Sequence, residues 1–141
     1  MAQGKKVDVF LTRELVRKAP DMSPRVIEVP YWPDAEGNPG KLLVQPFNMG
    51  MRKTVRKSAE QPPRKDPDGK WQQDIDPEEL EVETVMQGVR DPEDPSKPFF
   101  NRGDRDWLLG EKSSGAISFV AGQVMSASGM EGDAVGKPDA S

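Results

Sequence analysis

Residues 76–89, Asp76-Pro77-Glu78-Glu79-Leu80-Glu81-Val82-Glu83-Thr84-Val85-Met86-Gln87-Gly88-Val89, carry the clearest structural signal in the chain. Asp76 offers a side-chain acceptor at an N-cap. Pro77 fits the first helical position, where its missing N–H costs nothing, and Glu79 stands three residues after the cap, where it can close a capping box. Glu78, Glu79 and Glu81 place negative charge toward the positive end of the helix dipole. Val82, Val85, Met86 and Val89 follow the i, i+3, i+4, i+7 spacing of one buried stripe. The helix is expected to stop near Arg90, because Asp91-Pro92-Glu93-Asp94-Pro95-Ser96-Lys97-Pro98 cannot extend it.

Downstream, Phe99-Phe100 is an apolar anchor ahead of a short helical turn, Asp104 to Leu109, closed by Gly110. A last helix is expected from Glu111 to Ala127, with Ile117, Val120, Ala121 and Val124 on one face. Gly115, Ala116, Ser118, Gly122 and Ser126 are small enough to admit a neighbouring helix. A helix so rich in glycine needs a partner, either the Asp76 helix or another chain.

Upstream, the period changes. Arg25-Val26-Ile27-Glu28-Val29-Pro30 reads as a strand with Ile27, Val29 and Tyr31 on one face, and Lys41 to Phe47 as a second. Trp32 to Gly40 turns the chain, which predicts an antiparallel hairpin with a long loop. Two strands need a third strand or a covering helix. Met49 to Glu60 predicts a helix with Met51, Val55 and Ala59 on a narrow apolar stripe, and Thr12 caps a short helix that Pro20 ends. The fold class is therefore α+β: a small N-terminal β-hairpin or sheet followed by a helical C-terminal part, with disordered termini. Residues 1–24 form an N-terminal segment with a short helix, 25–130 a single domain with an exposed loop at 61–75, and 131–141 a disordered tail.

Composition narrows the function. The 141 residues include no His and no Cys, which removes the commonest general base, thiolate nucleophiles and the usual zinc ligands. With 34% hydrophobic residues, 14 Pro and 13 Gly, the core is small. No stretch is long and apolar enough to span a bilayer or to act as a secretion signal, so the expected location is the cytoplasm. The net charge of -4 conceals a division. From Met49 to Lys65 six basic residues face only Glu60, whereas from Asp66 to Asp94 eleven acids face only Lys70 and Arg90. Such segregation suits intramolecular docking, head-to-tail self-association or a charged partner.

No catalytic, metal or cofactor-binding constellation emerges. The acids of Asp34 with Glu36, Asp66 with Asp68, and Asp91 with Glu93 and Asp94 lack the spacing of a calcium loop. The carboxylates from Glu78 to Glu83 have no apolar surroundings in sequence to raise a pKa. Ser113 and Ser114 read as helix caps rather than nucleophiles. Arg52, Lys53, Arg56 and Lys57 form a basic patch whose plain reading is a solvated helix face, so nucleic acid is disfavoured as a partner. Candidate partner-binding residues are Phe99, Phe100, Trp107, Leu108 and Phe119, for each of which membership of the core is the competing reading.

Val9-Phe10-Leu11-Thr12-Arg13-Glu14 resembles the opening of many tail assembly chaperones of long-tailed bacteriophages and related prophages, and Arg25 to Pro30 resembles their next segment. The strongest similarity lies in Val89 with Asp91, Lys97-Pro98-Phe99-Phe100, Asp106 to Ser114, and the ending Ser128-Gly129-Met130. Gln61 to Lys70 interrupts the charged helical middle common in that family. The resemblance implies a non-enzymatic α+β protein of the host cell cytoplasm that needs no cofactor. It would bind the phage tape measure protein and support assembly of the tail tube protein, either leaving before the virion is complete or staying as a tail-associated subunit. A homo-oligomer is compatible with this reading.

Overall fold

The computed structural model describes residues 8–130. The chain is α+β: one four-stranded antiparallel sheet with helices packed on one of its faces. Helix α1 (Arg13–Lys18) is capped by Thr12, whose hydroxyl accepts from the Leu15 N–H, and has no buried residue. Strands β1 (Arg25–Pro33) and β2 (Pro39–Val44) form the hairpin, with Arg25 opposite Val44 and Val29 opposite Gly40. Both strands reach further toward the turn than the sequence predicted, so the connection is short, while β2 ends at Val44 and not at Phe47. Asp34 Oδ1 accepts from the N–H groups of both Glu36 and Asn38, closing the turn locally. At Gly40 the Trp32 carbonyl passes where a Cβ would stand, so this position admits no side chain and Trp32 is drawn across the hairpin.

Helix α2 (Met49–Ser58) is capped by Asn48 and buries Val55, with Ala59 beyond its end also buried. The segment expected as an open loop instead contains a miniature hairpin, β3 (Arg64–Lys65) with β4 (Trp71–Gln72). Asp66 organises its turn, accepting from the N–H groups of Asp68 and Lys70 and from the Gln72 amide. Trp71 is exposed, with Lys65 Nζ 5.4 Å from its ring centre across the strand pair.

Helix α3 (Pro77–Gly88) starts as expected, with Asp76 accepting from the N–H groups of Glu78 and Glu79. The expected return bond from Glu79 is absent for a simple reason: the Asp76 N–H already donates to the Ala59 carbonyl, and the Glu79 carboxylate turns to Arg105. Val82, Val85, Met86 and Val89 are all buried. Val89 then starts β5 (Val89–Asp91), which pairs with β2, and β6 (Asp94–Pro98) pairs with β5, completing the order β1-β2-β5-β6. The proline-rich stretch after the helix is thus an edge strand, a position where Pro95 and Pro98 sacrifice no donor that the sheet interior needs.

A 3-10 turn (Arg102–Asp104) leads into α4 (Arg105–Gly110), and α5 (Ser114–Ala127) begins at an Ser113 cap, later than Glu111. Helix α5 lays Ile117, Val120, Ala121 and Val124 onto β1 and α3, so its partner is the Asp76 helix. Among the glycines, the one at the close approach lies on α3. A Cβ on Gly88 would stand 2.6 Å from both methyl carbons of Val124, whereas one on Gly122 would meet nothing. The expected disordered tail at 131–141 lies outside the described residues, as do residues 1–7. Among the described residues no helix is long and apolar enough to cross a membrane.

Candidate protein-binding site

The end of β6 meets the hairpin and α4 at an aromatic groove of about 290 Å³, lined by Trp32, Leu42, Phe99, Phe100, Trp107 and Lys112. Each wall has a local cause. The Gly40 crossing sets Trp32, strand alternation brings Leu42 beside it, and the edge strand ends on Phe99-Phe100. These two rings stand edge to face, 4.9 Å apart at 88°, and Phe100 meets Trp107 at 6.0 Å and 68°. Asp104 orients the indole. Its Oδ1 accepts from Trp107 Nε1 at 3.0 Å while Oδ2 accepts from the Asn101 N–H at 2.9 Å. Lys112 Nζ lies 5.9 Å from the Trp107 ring centre, adding a cation at the rim.

An ionic clamp on the buried Glu83 carboxylate ties the 3-10 turn and α4 to α3. Glu83, only 2% exposed, receives Arg102 Nη1 on Oε1 at 3.1 Å, Arg102 Nη2 on Oε2 at 3.2 Å and Arg105 Nε on Oε2 at 3.2 Å. Arg105 also pairs with Glu79. Hydrogen bonding to Glu83, and then the charge of that carboxylate, holds the Arg102 pKa above its ordinary value. Sequence reading had set the carboxylates from Glu78 to Glu83 among polar surroundings, and for Glu83 this is corrected. The available sign was its place between Val82 and Met86 at the margin of the apolar stripe, where an acid needs a cation.

The candidate residues are distributed unequally. Phe99, 49% exposed, and the half-buried Trp107 reach the groove surface, while Phe100 forms its floor and belongs to the core. Leu108, expected at the partner surface, is 0% exposed, because it faces inward from α4 onto α3 and α5. Phe119 is also elsewhere, half-buried against Tyr31 at 5.8 Å. Trp32, Leu42 and Lys112 were not foreseen as groove residues; they come from three separate segments, and no local pattern announces their meeting.

The basic patch stands apart from this groove. Arg52 and Arg56 border a separate hollow of about 420 Å³ with Phe47, Val55, Leu80 and Met125. Arg52, Lys53, Arg56 and Lys57 form no ion pair among the described residues. Among the described residues no group of three or more acidic, His or Cys side chains is placed to hold a metal ion. The arrangement at the aromatic groove suits burial of an apolar side chain with a hydrogen-bonded or ionic rim. Comparison of the chain with protein-family models, curated protein sequences and solved structures returns no match.

Proposed function

We propose that this chain is a non-enzymatic tail assembly chaperone of a long-tailed bacteriophage, acting in the host cell cytoplasm. It holds the tape measure protein through the aromatic groove and supports assembly of the tail tube. The observation that carries the reading is the groove itself: Phe99 and Trp107 are presented at the surface on a rigid base, with a polar rim at Asp104 and Lys112. The resemblance supplies the partner, and two of its phrases, Lys97-Pro98-Phe99-Phe100 and the stretch from Asp106 to Ser114, contribute four of the six residues that line the groove. A long helical protein with an apolar seam aggregates when unpaired, and such a groove can cover that seam one side chain at a time. The exposed Val9, Phe10 and Leu11 ahead of α1 provide a second apolar surface to the same end.

Co-expression with the tape measure protein tests the reading. The expected result is that the tape measure protein stays in solution and co-purifies with this chain, and that Phe99→Ala reduces the recovered complex. Aggregation of the tape measure protein despite an equal level of folded chain rejects the proposal. Mass spectrometry of purified virions distinguishes a departing chaperone from a retained subunit.

A further inference from the structure

Two of the four cations in the basic patch border a built hollow. Arg52 and Arg56, one turn apart on α2, line a space of about 420 Å³ together with Phe47, Val55, Leu80 and Met125. Four segments supply its apolar floor: the stretch after β2, then α2, α3 and α5. Their spacing is fixed by backbone bonds. The Phe47 N–H donates to Ser128 Oγ at 2.7 Å, which ties the stretch after β2 to the end of α5, and the Asp76 N–H donates to the Ala59 carbonyl at 2.9 Å, which ties α2 to α3. Phe47 and Val55 are buried, whereas Leu80 and Met125 are half-buried and leave apolar surface open to the hollow. Among the described residues no acid lines this space, and α2 itself carries none. On the adjoining segment Asp74 is taken by Arg64, Glu79 by Arg105, and Asp76 caps α3.

We propose that this hollow receives an acidic amphipathic helix of another protein. Two apolar side chains of that helix, one turn apart, enter over Val55, Leu80 and Met125, and two carboxylates beside them meet Arg52 and Arg56. Spacing, room and charge all favour this occupant. Residues four apart on a helix stand about 6 Å from each other, so Arg52 and Arg56 present charge at the repeat that a second helix offers, and a guanidinium can take a carboxylate through two parallel bonds. At about 30 Å³ per water the hollow has the room of about 14 waters, enough for more than one side chain. A helix laid in an apolar groove is a common mode of recognition, and here the cations select the acidic version. Lys53 and Lys57 line no part of the hollow and add only long-range attraction. A phosphate backbone would answer the cations but leave the apolar floor uncovered, and the net charge of -4 opposes it. The hollow shares no residue with the aromatic groove, so the inference stands whether or not that groove holds the tape measure protein.

Fluorescence anisotropy with the full chain tests it. The probe is a labelled synthetic helix of about 16 residues, carrying two leucines one turn apart and two glutamates one turn apart beside them. Binding should saturate below about 1 mM and weaken as salt rises. R52E/R56E should weaken it at least about tenfold, K53E/K57E, with the same change in net charge, by less than about threefold, and Phe99→Ala not at all. The R52E/R56E chain should recover binding to a probe whose glutamates are replaced by lysines, and a probe with serines for leucines should not bind the parent. If R52E/R56E melts early, R56E alone, at an exposed position, carries the test. Absence of saturation, equal losses from R52E/R56E and K53E/K57E, or binding indifferent to the leucines overturns the proposal. Three further results overturn it by naming another occupant. Duplex DNA held more tightly than the probe and released by R52E/R56E assigns the cations to phosphate. Probe binding that E131Q/D133Q strengthens about tenfold assigns the hollow to the chain's own residues after Met130. Probe binding that fades as the chain concentration rises assigns it to a second copy.

Discussion

Arg102 and Glu83 meet through two parallel hydrogen bonds of 3.1 and 3.2 Å, joining the turn after β6 to the middle of α3 across 19 residues of sequence. The carboxylate is buried and the guanidinium is largely exposed, so the pair fastens a surface segment to the core. The same carboxylate takes Arg105, and the two arginines flank Asp104, which orients Trp107. The turn and helix that carry Trp107 are thereby tied to α3.

Glu83→Gln should lower unfolding stability by about 2 kcal/mol, because it removes the charged acceptor on which three hydrogen bonds from Arg102 and Arg105 converge, while the largely exposed Arg102 can turn to water. Arg102→Ala should cost less, about 1 kcal/mol, since Arg105 still neutralises the carboxylate. Urea titration of the two variants gives both numbers. Equal losses would show that Arg105 does not compensate.

Gly88→Ala should destabilise by about 2 kcal/mol, since its Cβ would be 2.6 Å from the Val124 methyl carbons and α3 would have to move from α5. Val124→Ala makes room, so G88A/V124A should be more stable than the sum of the two single losses. A double-mutant cycle in chemical denaturation checks the coupling. Strict additivity would place the strain elsewhere.

Phe99→Ala and Trp107→Ala should separate binding from folding. Phe99 is half exposed, so its removal should change stability by less than about 1 kcal/mol while reducing capture of the tape measure protein. Trp107 packs on Phe100 and donates to Asp104, so Trp107→Ala should cost about 3 kcal/mol as well. Thermal melts followed by circular dichroism, set beside pull-down yields, distinguish the two effects.

Acid should loosen the β3–β4 hairpin. The Lys70 N–H, and then the Gln72 amide, hold the Asp66 pKa below its ordinary value of 3.8, and Arg64 does the same for Asp74. A carboxylate depressed by folding contributes its stability above the unfolded value and loses it as pH falls through the folded one. The Trp71 emission and the Lys70 amide resonance should therefore change with a midpoint below 3.8. Asp66→Asn should remove the Asp66 part of that transition. A midpoint at or above 3.8 would contradict the turn geometry.

Much of the secondary structure was legible because it rests on neighbours in sequence. The Asp76 cap, the stripe from Val82 to Val89 and the strand face of Ile27 and Val29 all depend on residues within one or two turns. Strand β6 was hidden, because the prolines that argued against a strand are harmless only at a sheet edge, and edge position is a property of the whole sheet; β5, three residues directly after α3, is too short to show a period. The hairpin at 64–72 was hidden for a related reason: two residues on each side are too few to show a period.

Among the candidate residues, sequence by itself determined which side chains were aromatic, apolar or charged, and that α4 and α5 would carry Trp107, Leu108 and Phe119. Only the tertiary structure decided that Trp107 reaches a groove, that Leu108 is enclosed and that Phe119 packs on Tyr31. Burial of a side chain on a short helix depends on which elements lie against it, and those contacts come from distant segments. Glu83 follows the same rule: its neighbours in sequence make it one more acid in an acidic helix, and two arginines from the turn after β6 make it the fastening of the fold.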